Sequence, residues 1–170
     1  MKPSLLQRMD IWVRHMVPIG SSLFLVLLTA TPSKIPNFSV IEPMVSLMCV
    51  FYWSLYRPDL VSIHVTFVLG LLVDFLGMFP LGSHSLLFLL AHSVTVSMRH
   101  FLLEASPMMM WFVFSIIAAG TYVLLWVIIT LFYGPSPIKT VFFSYIMTVS
   151  IYPVINRFLA RLQVALLRDA

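Results

Sequence analysis

The fold depends on a stretch of fifteen residues that reads GLLVDFLGMFPLGSH and occupies positions 70–84. Apolar sequence runs into it and out of it, while its middle holds a glycine, a proline and a second glycine. Helices stop at such residues, so the stretch predicts two apolar helices joined as a tight antiparallel hairpin. Asp74 lies six residues before Pro80 and His84 lies four residues after it, so both ionisable groups belong to this hairpin.

The composition of the whole chain is that of a membrane protein. Of its 170 residues, 61% are hydrophobic and only 9% are charged, whereas soluble domains carry about 25% charged residues. Ten basic and six acidic side chains are too few to cover a soluble protein of 19.4 kDa. The net charge of +4 comes from basic residues scattered singly between apolar segments, which indicates membrane topology rather than a nucleic-acid partner.

Six segments approach the length of about 20 apolar residues that a bilayer requires. They run about 15–31, 38–56, 60–77, 82–98, 108–133 and 138–158. The joints between them are rich in Pro, Gly or charge and lie at 31–36, 57–59, 77–82, 99–107 and 134–137. We predict an all-α, polytopic membrane protein with six transmembrane helices, forming a single domain over residues 1–170. The joint at 77–82 carries no charge, so one re-entrant hairpin is the alternative to two separate spans there.

The basic residues predict the orientation, because Lys and Arg are enriched in cytoplasmic loops. If the amino terminus is cytoplasmic and the spans alternate, the cytoplasmic side receives eight basic residues: Lys2, Arg8, Arg14, Arg57, Arg99, Arg157, Arg161 and Arg168. The opposite side receives only Lys34 and Lys139. This asymmetry predicts an even number of spans with both termini in the cytoplasm.

Both ends of the chain have the pattern of short, basic, amphipathic segments, at about 1–14 and about 157–170. In the second segment, leucines form one stripe, while Arg157, Arg161 and Arg168 fall on the opposite face at about 100° per residue. Such a segment fits an anionic cytoplasmic leaflet. Ordinary positive-inside anchoring without lipid specificity is the alternative, and the sequence leaves both open.

Five ionisable side chains stand inside apolar segments, where a charge is costly unless it is paired or lines water. They are Glu42, His64, Asp74, His84 and His92. Glu42 and His64 lie near segment ends, where water is close. Asp74 lies deep in its segment and has no basic residue one turn away, which makes it the strongest candidate for a functional or structural role.

The hairpin geometry predicts a partner for Asp74. The turn should bring Asp74 and His84 to a similar depth, so we expect a contact between carboxylate and imidazole. Gly70 lies four residues before Asp74 on the same helical face, where the absence of a side chain allows another backbone to approach closely. The alternative is that each group is satisfied separately, by backbone groups or by serines such as Ser83, Ser85 or Ser93.

No arrangement typical of catalysis or metal binding is present in the sequence. His84 and His92 are eight residues apart, or about 12 Å along one helix, so one helix cannot place both on a single ion. No H-E-x-x-H motif, cysteine cluster, G-x-S-x-G motif or P-loop occurs. We therefore expect no catalytic residue, no metal and no cofactor.

Several short motifs, in this order, resemble the MreD family of rod shape-determining proteins. They are YWSLYRP at 52–58, GLLVD at 70–74, PLGSHSL at 80–86 and YPVINR at 152–157. The chain length, the number of apolar segments and both ends agree with that family. One feature departs from the family pattern: the acid that usually follows the proline of the second span is missing, and Glu42 precedes Pro43 instead.

The resemblance implies a non-enzymatic protein of the bacterial inner membrane that belongs to the elongasome and supports lateral peptidoglycan synthesis. It implies binding to the bitopic protein MreC, and with it to MreB filaments, RodA and a class B penicillin-binding protein, within membrane lipid. The residues expected to matter for binding or structure are Trp53, Arg57, Gly70, Asp74, Pro80, Gly82 and His84. The family is also similar to the substrate-binding subunits of energy-coupling-factor transporters, so a small-ligand carrier subunit is the alternative function.

Overall fold

The computed structural model describes residues 18–27 and 43–167, together with side chains as far as residue 165. Within them the chain is helical and contains no strand, which confirms the all-α prediction. The helices are α1 (Pro18–Leu27), α2 (Val45–Tyr56), α3 (Ile63–Gly77), α4 (Ser83–Ser97), α5 (Arg99–Glu104), α6 (Pro107–Tyr133) and α7 (Ile138–Leu167). Of these, α6 and α7 are long and apolar enough to cross a membrane, whereas α1, α2 and α3 are shorter apolar helices.

The predicted segments match α3, α4 and α6 to within three residues at each end. The joint predicted at 99–107 is wrong in part, because it contains the six-residue helix α5. Leu102 of α5 is fully buried, so this connection coils against the core rather than looping through solvent. Helix α7 continues past the predicted end at 158 and includes most of the predicted carboxyl-terminal segment. The amino-terminal segment, Glu42, both ends of the first predicted span and the start of the second lie outside the described residues.

Helix α2 is the central element of the bundle. Its residues from 45 to 55 are all buried, and it packs against α4 and α7. Phe51 of α2 meets Phe114 of α6 and Tyr152 of α7, with ring centroids 5.3 and 5.9 Å away, and those two rings stack on each other at 4.1 Å. A helix that is apolar all round fits such a fully enclosed position.

Polar contacts satisfy both ends of α2. At its start, the backbone N–H of Met44 donates to Thr148 Oγ1 at 3.0 Å, and the Tyr122 hydroxyl lies 2.7 Å from the same oxygen. At its end, the Arg99 guanidinium donates through Nε to the carbonyl of Leu55 at 3.0 Å. Helix ends leave backbone groups without partners, and away from water each such group must find one inside the protein.

The connections between helices lie at alternating ends of the bundle. The contact between Arg99 and Leu55 joins the connection after α4 to the end of α2. At the other end, the Tyr133 hydroxyl at the close of α6 donates to the carbonyl of Met78 after α3, at 3.3 Å. The first contact places the connections after α2 and after α4 at one end of the bundle, and the second places those after α3 and after α6 at the other end. This is the arrangement of an up-and-down bundle.

Pro153 lies inside α7 and removes one helical hydrogen bond, because proline has no backbone N–H. The carbonyl that this N–H would have met is that of Val149, four residues earlier. The indole N–H of Trp111 on α6 donates to this carbonyl at 3.0 Å. A side chain of the neighbouring helix thus replaces the missing bond, as transmembrane helices with interior prolines require.

We expect Trp111→Phe to destabilise the protein by about 1–2 kcal/mol, because it leaves the Val149 carbonyl without a donor. In a Pro153→Ala background the restored backbone N–H bonds that carbonyl, so Trp111→Phe should cost clearly less. Reversible unfolding in bicelles measures this double-mutant cycle. Trp126→Phe is the matched control, because the Trp126 indole donates to Ser136 instead. Equal costs of Trp111→Phe in both backgrounds would contradict the assignment.

Candidate functional site

The side chain of Asp74 joins the end of α3 to the start of α4. Its carboxylate is completely buried. One oxygen, Oδ2, accepts from the backbone N–H of Gly82 at 2.8 Å, and Oδ1 accepts from the backbone N–H of His84 at 3.0 Å. The imidazole Nδ1 of His84 lies 2.7 Å from Oδ1. The predicted contact between Asp74 and His84 is therefore present, and the carboxylate also caps α4.

The location of this carboxylate explains how a charge is tolerated inside an apolar hairpin. The first N–H groups of α4 have no partner within their own helix, and the positive end of a helix dipole favours an anion. Hydrogen bonds to a charged acceptor are stronger than neutral ones, especially away from water. The Asp74 carboxylate therefore has hydrogen-bond donors from the backbone and a contact with the His84 imidazole. These take the place of the lysine or arginine that commonly pairs with a buried carboxylate.

The turn between the two helices is shaped around the same residue. The backbone carbonyl of Asp74 accepts from the N–H groups of Met78 and Phe79, which ends α3. Met78 and Gly82 both have positive φ, 54° and 96°, and only Gly82 takes that conformation without strain. Pro80 lies between them. The turn therefore bends back so that its last residues face the carboxylate.

The neighbouring serines do not satisfy Asp74, so of the alternative that the sequence left open only the backbone part is present, beside the contact with the His84 imidazole. The Ser83 hydroxyl donates to the carbonyl of Pro80 at 2.6 Å, and the Ser85 hydroxyl donates to the carbonyl of Phe67 at 3.0 Å. Ser83 thus stabilises the turn, and Ser85 joins α4 to α3. Asp74 and His84 remain a direct pair.

Gly70 allows the two helices of the hairpin to touch. A Cβ atom at this position would lie 2.5 Å from the backbone nitrogen of Ser85 and 2.9 Å from the carbonyl carbon of His84. No side chain fits there without moving backbone. The close approach predicted for Gly70 is present, and it brings the start of α4 within reach of Asp74, one turn further along α3.

Trp53 and Arg57 lie at the opposite end of α3 from this cluster, so the structure does not bring all the predicted residues together. Trp53 is fully buried, and its indole N–H has no hydrogen-bond partner in the part of the chain that the structure describes. Arg57 ends α2, where its backbone N–H donates to the Trp53 carbonyl at 2.8 Å. Its exposed guanidinium lies 3.4 Å from Asp59.

A second buried pair was not predicted from the sequence. The Ser54 hydroxyl of α2 lies 2.7 Å from His92 Nδ1 of α4, and both residues are buried. The sequence shows His92 as an ionisable residue in an apolar segment, but its partner Ser54 lies 38 residues away in the chain. His64, by contrast, is exposed at the start of α3. No group of three or more metal-ligating side chains occurs among the described residues.

The model of the family described as rod shape-determining protein MreD matches residues 9–167 of the chain. The chain belongs to the MreD family. No curated protein and no solved structure is significantly similar to it. Family membership makes it a rod shape-determining membrane protein of the MreBCD system, and MreD proteins are structural proteins rather than a known family of enzymes.

The carrier alternative finds no support in this MreD protein. A groove of about 290 Å³ lies between α1 and α3. It is lined by one histidine and six aliphatic side chains: His64, Ile19, Leu23, Val65, Val68, Leu69 and Leu72. A pocket for a small polar ligand presents several convergent polar groups, and this groove does not.

We expect Asp74→Asn to destabilise the protein by roughly 2–4 kcal/mol, because an amide offers one acceptor oxygen to three donors and loses the charge assistance. His84→Gln should cost less, since the backbone bonds to Asp74 remain. The matched control is Asp59→Asn, an exposed acid whose loss should cost below about 1 kcal/mol. If unfolding in bicelles or detergent shows no difference between Asp74→Asn and Asp59→Asn, the carboxylate does not hold the hairpin.

Two glycine substitutions should have opposite effects. Gly70→Ala forces the hairpin apart and should destabilise it by about 2 kcal/mol or more, in the range of overpacked cores. A Cβ at Gly120 in α6 would meet nothing within 4 Å, so Gly120→Ala should stabilise by about 0.5–1 kcal/mol through helix propensity. The same unfolding assay compares them, and equal effects would contradict the close contact between α3 and α4.

Proposed function

We propose that this protein is a non-catalytic inner-membrane component of the bacterial elongasome that binds the bitopic protein MreC. Through MreC it would support MreB filaments and the synthase formed by RodA and a class B penicillin-binding protein. The single observation that carries the proposal is the match to the MreD family over residues 9–167. Trp53, Arg57, Gly70, Asp74, Pro80, Gly82 and His84 would act by shaping the helices rather than by contacting a substrate.

We further propose six spans with both termini in the cytoplasm. Connections at alternating ends of the described bundle support the alternation, and the eight-to-two distribution of basic residues supports its direction. Helices α3 and α4 have 15 residues each, or roughly 22 Å, which is shorter than a hydrocarbon core of about 30 Å. Local thinning of the bilayer and the apolar turn residues would accommodate the difference.

The outer face of α3 is the surface that we propose for the transmembrane helix of MreC. Phe67 and Phe75 are 43% and 75% exposed on this face. Gly70 and Asp74, on the packed face, hold α3 against α4. The family motifs at 70–74 and 80–86 thus fix the position of α3 without covering its outer side. A fixed apolar helix suits a partner helix, because membrane helices associate through close packing.

Cysteine crosslinking tests this surface. With the buried Cys49 replaced by Ala, single cysteines at Phe67 and Phe75 should crosslink to cysteines in the MreC transmembrane helix in intact cells. Val123 and Val127 on α6 are exposed to 59% and 40% and provide matched controls that should not crosslink. Crosslinks from the α6 positions alone would contradict the proposal and place the MreC interface on α6.

Depletion of this protein from the rod-shaped host tests the proposed function itself. We expect the depleted cells to become round. Cells that stay rod-shaped while requiring a vitamin would overturn it.

A further inference from the structure

The last part of α7, from residue 154 to residue 165, has two distinct faces. Its inner face is held by the rest of the protein: Leu159 is fully buried, and Gln163 accepts from the Tyr52 hydroxyl at 2.6 Å. The outer face is exposed and combines three apolar side chains with two arginines: Val154, Arg157, Phe158, Arg161 and Val164. This part of α7 is therefore fixed in place while it presents two cations outward.

Neither arginine has a partner in the described part of the protein. Two other arginines at this end have partners within the protein: Arg57 lies beside Asp59, and Arg99 donates to the Leu55 carbonyl. Arg157 and Arg161 make no hydrogen bond or ion pair with any described residue. The sequence contains no acidic residue between Glu104 and Asp169, so α6 and α7 offer no carboxylate to either guanidinium.

The depth of the two arginines matches the boundary of a bilayer. Arg157 and Arg161 lie 19 and 23 residues after Ile138, the first residue of α7. At a rise of 1.5 Å per residue they are about 28 and 35 Å along the helix. The hydrocarbon core of a bilayer is roughly 30 Å thick, a value between these two distances. Their spacing of four residues places them on one face, about 6 Å apart along the axis.

We propose that Arg157 and Arg161 form a binding site for the phosphate headgroup of an anionic phospholipid. Guanidinium groups bind phosphate oxygens in pairs of hydrogen bonds, and their long stems lie along apolar surface while the charge reaches the interface. Val154 and Phe158 on the same face lie against the acyl chains. This mixture of apolar and basic residues favours a lipid over an acidic protein segment, which would leave the apolar side chains without hydrocarbon.

The full-length protein in nanodiscs tests this site. Native mass spectrometry counts the lipids of each kind that the protein retains after release from discs of phosphatidylcholine with about 30% phosphatidylglycerol. We expect enrichment of phosphatidylglycerol in the wild type and a loss of roughly fivefold for each arginine changed in Arg157→Gln and Arg161→Gln. Lys139→Gln, at the other end of the same helix, is the matched control and should keep the enrichment.

Further variants and a second measurement separate lipid binding from a structural role. Arg157→Lys with Arg161→Lys should keep most of the enrichment, since the charge remains. In discs of phosphatidylcholine alone, the double glutamine variant should unfold at the same temperature as the wild type. An equal fall in unfolding temperature in both kinds of disc would show that the arginines act within the protein, and would overturn the proposal. A wild type without preference for phosphatidylglycerol would also overturn it and direct attention to an acidic protein partner.

Discussion

The structure depends on a buried carboxylate that holds two helices together. Asp74 ends α3 with its backbone carbonyl and caps α4 with its side chain, so one residue determines both where the first helix stops and where the second begins. The bond to His84 Nδ1 completes its set of donors. A buried carboxylate without partners would be costly, whereas this one accepts hydrogen bonds from backbone groups that would otherwise have no partner.

The same constraint recurs elsewhere in the bundle, because lipid provides no hydrophobic force to drive apolar helices together and no water to satisfy their backbone. Several of the helix contacts described above combine close packing with a polar bond. Gly70 allows backbone contact beside Asp74, His92 meets Ser54 across the interior, and Trp111 donates to the carbonyl released by Pro153. These bonds give an apolar bundle a specific arrangement that packing alone would leave less defined.

The sequence predicted the parts of this arrangement that are local. Gly70, Asp74 and His84 lie within fifteen residues around a marked turn, so helical spacing was enough to place them together. The partnership of His92 with Ser54 was not predictable, because it depends on how α2 and α4 meet rather than on spacing. Helix α5 was not predicted because it begins with a charged residue, Arg99, which is typical of a loop between membrane helices. Trp53 and Arg57 belong to a family motif close to Gly70 in the chain, yet they lie at the other end of α3.

The burial of α2 has a consequence for how the protein is made. This helix contacts α4 and α7, and the first residue of α7 follows the end of α2 by about 80 residues of chain. At synthesis rates of 5–20 residues per second, α2 waits roughly 4–16 s for that neighbour to leave the ribosome. During this interval Thr148 does not yet exist to accept from the N–H of Met44. Helix α2 therefore gains its contacts with α7 only after a delay of several seconds, and α7, the last of the described helices to be made, completes the burial of α2.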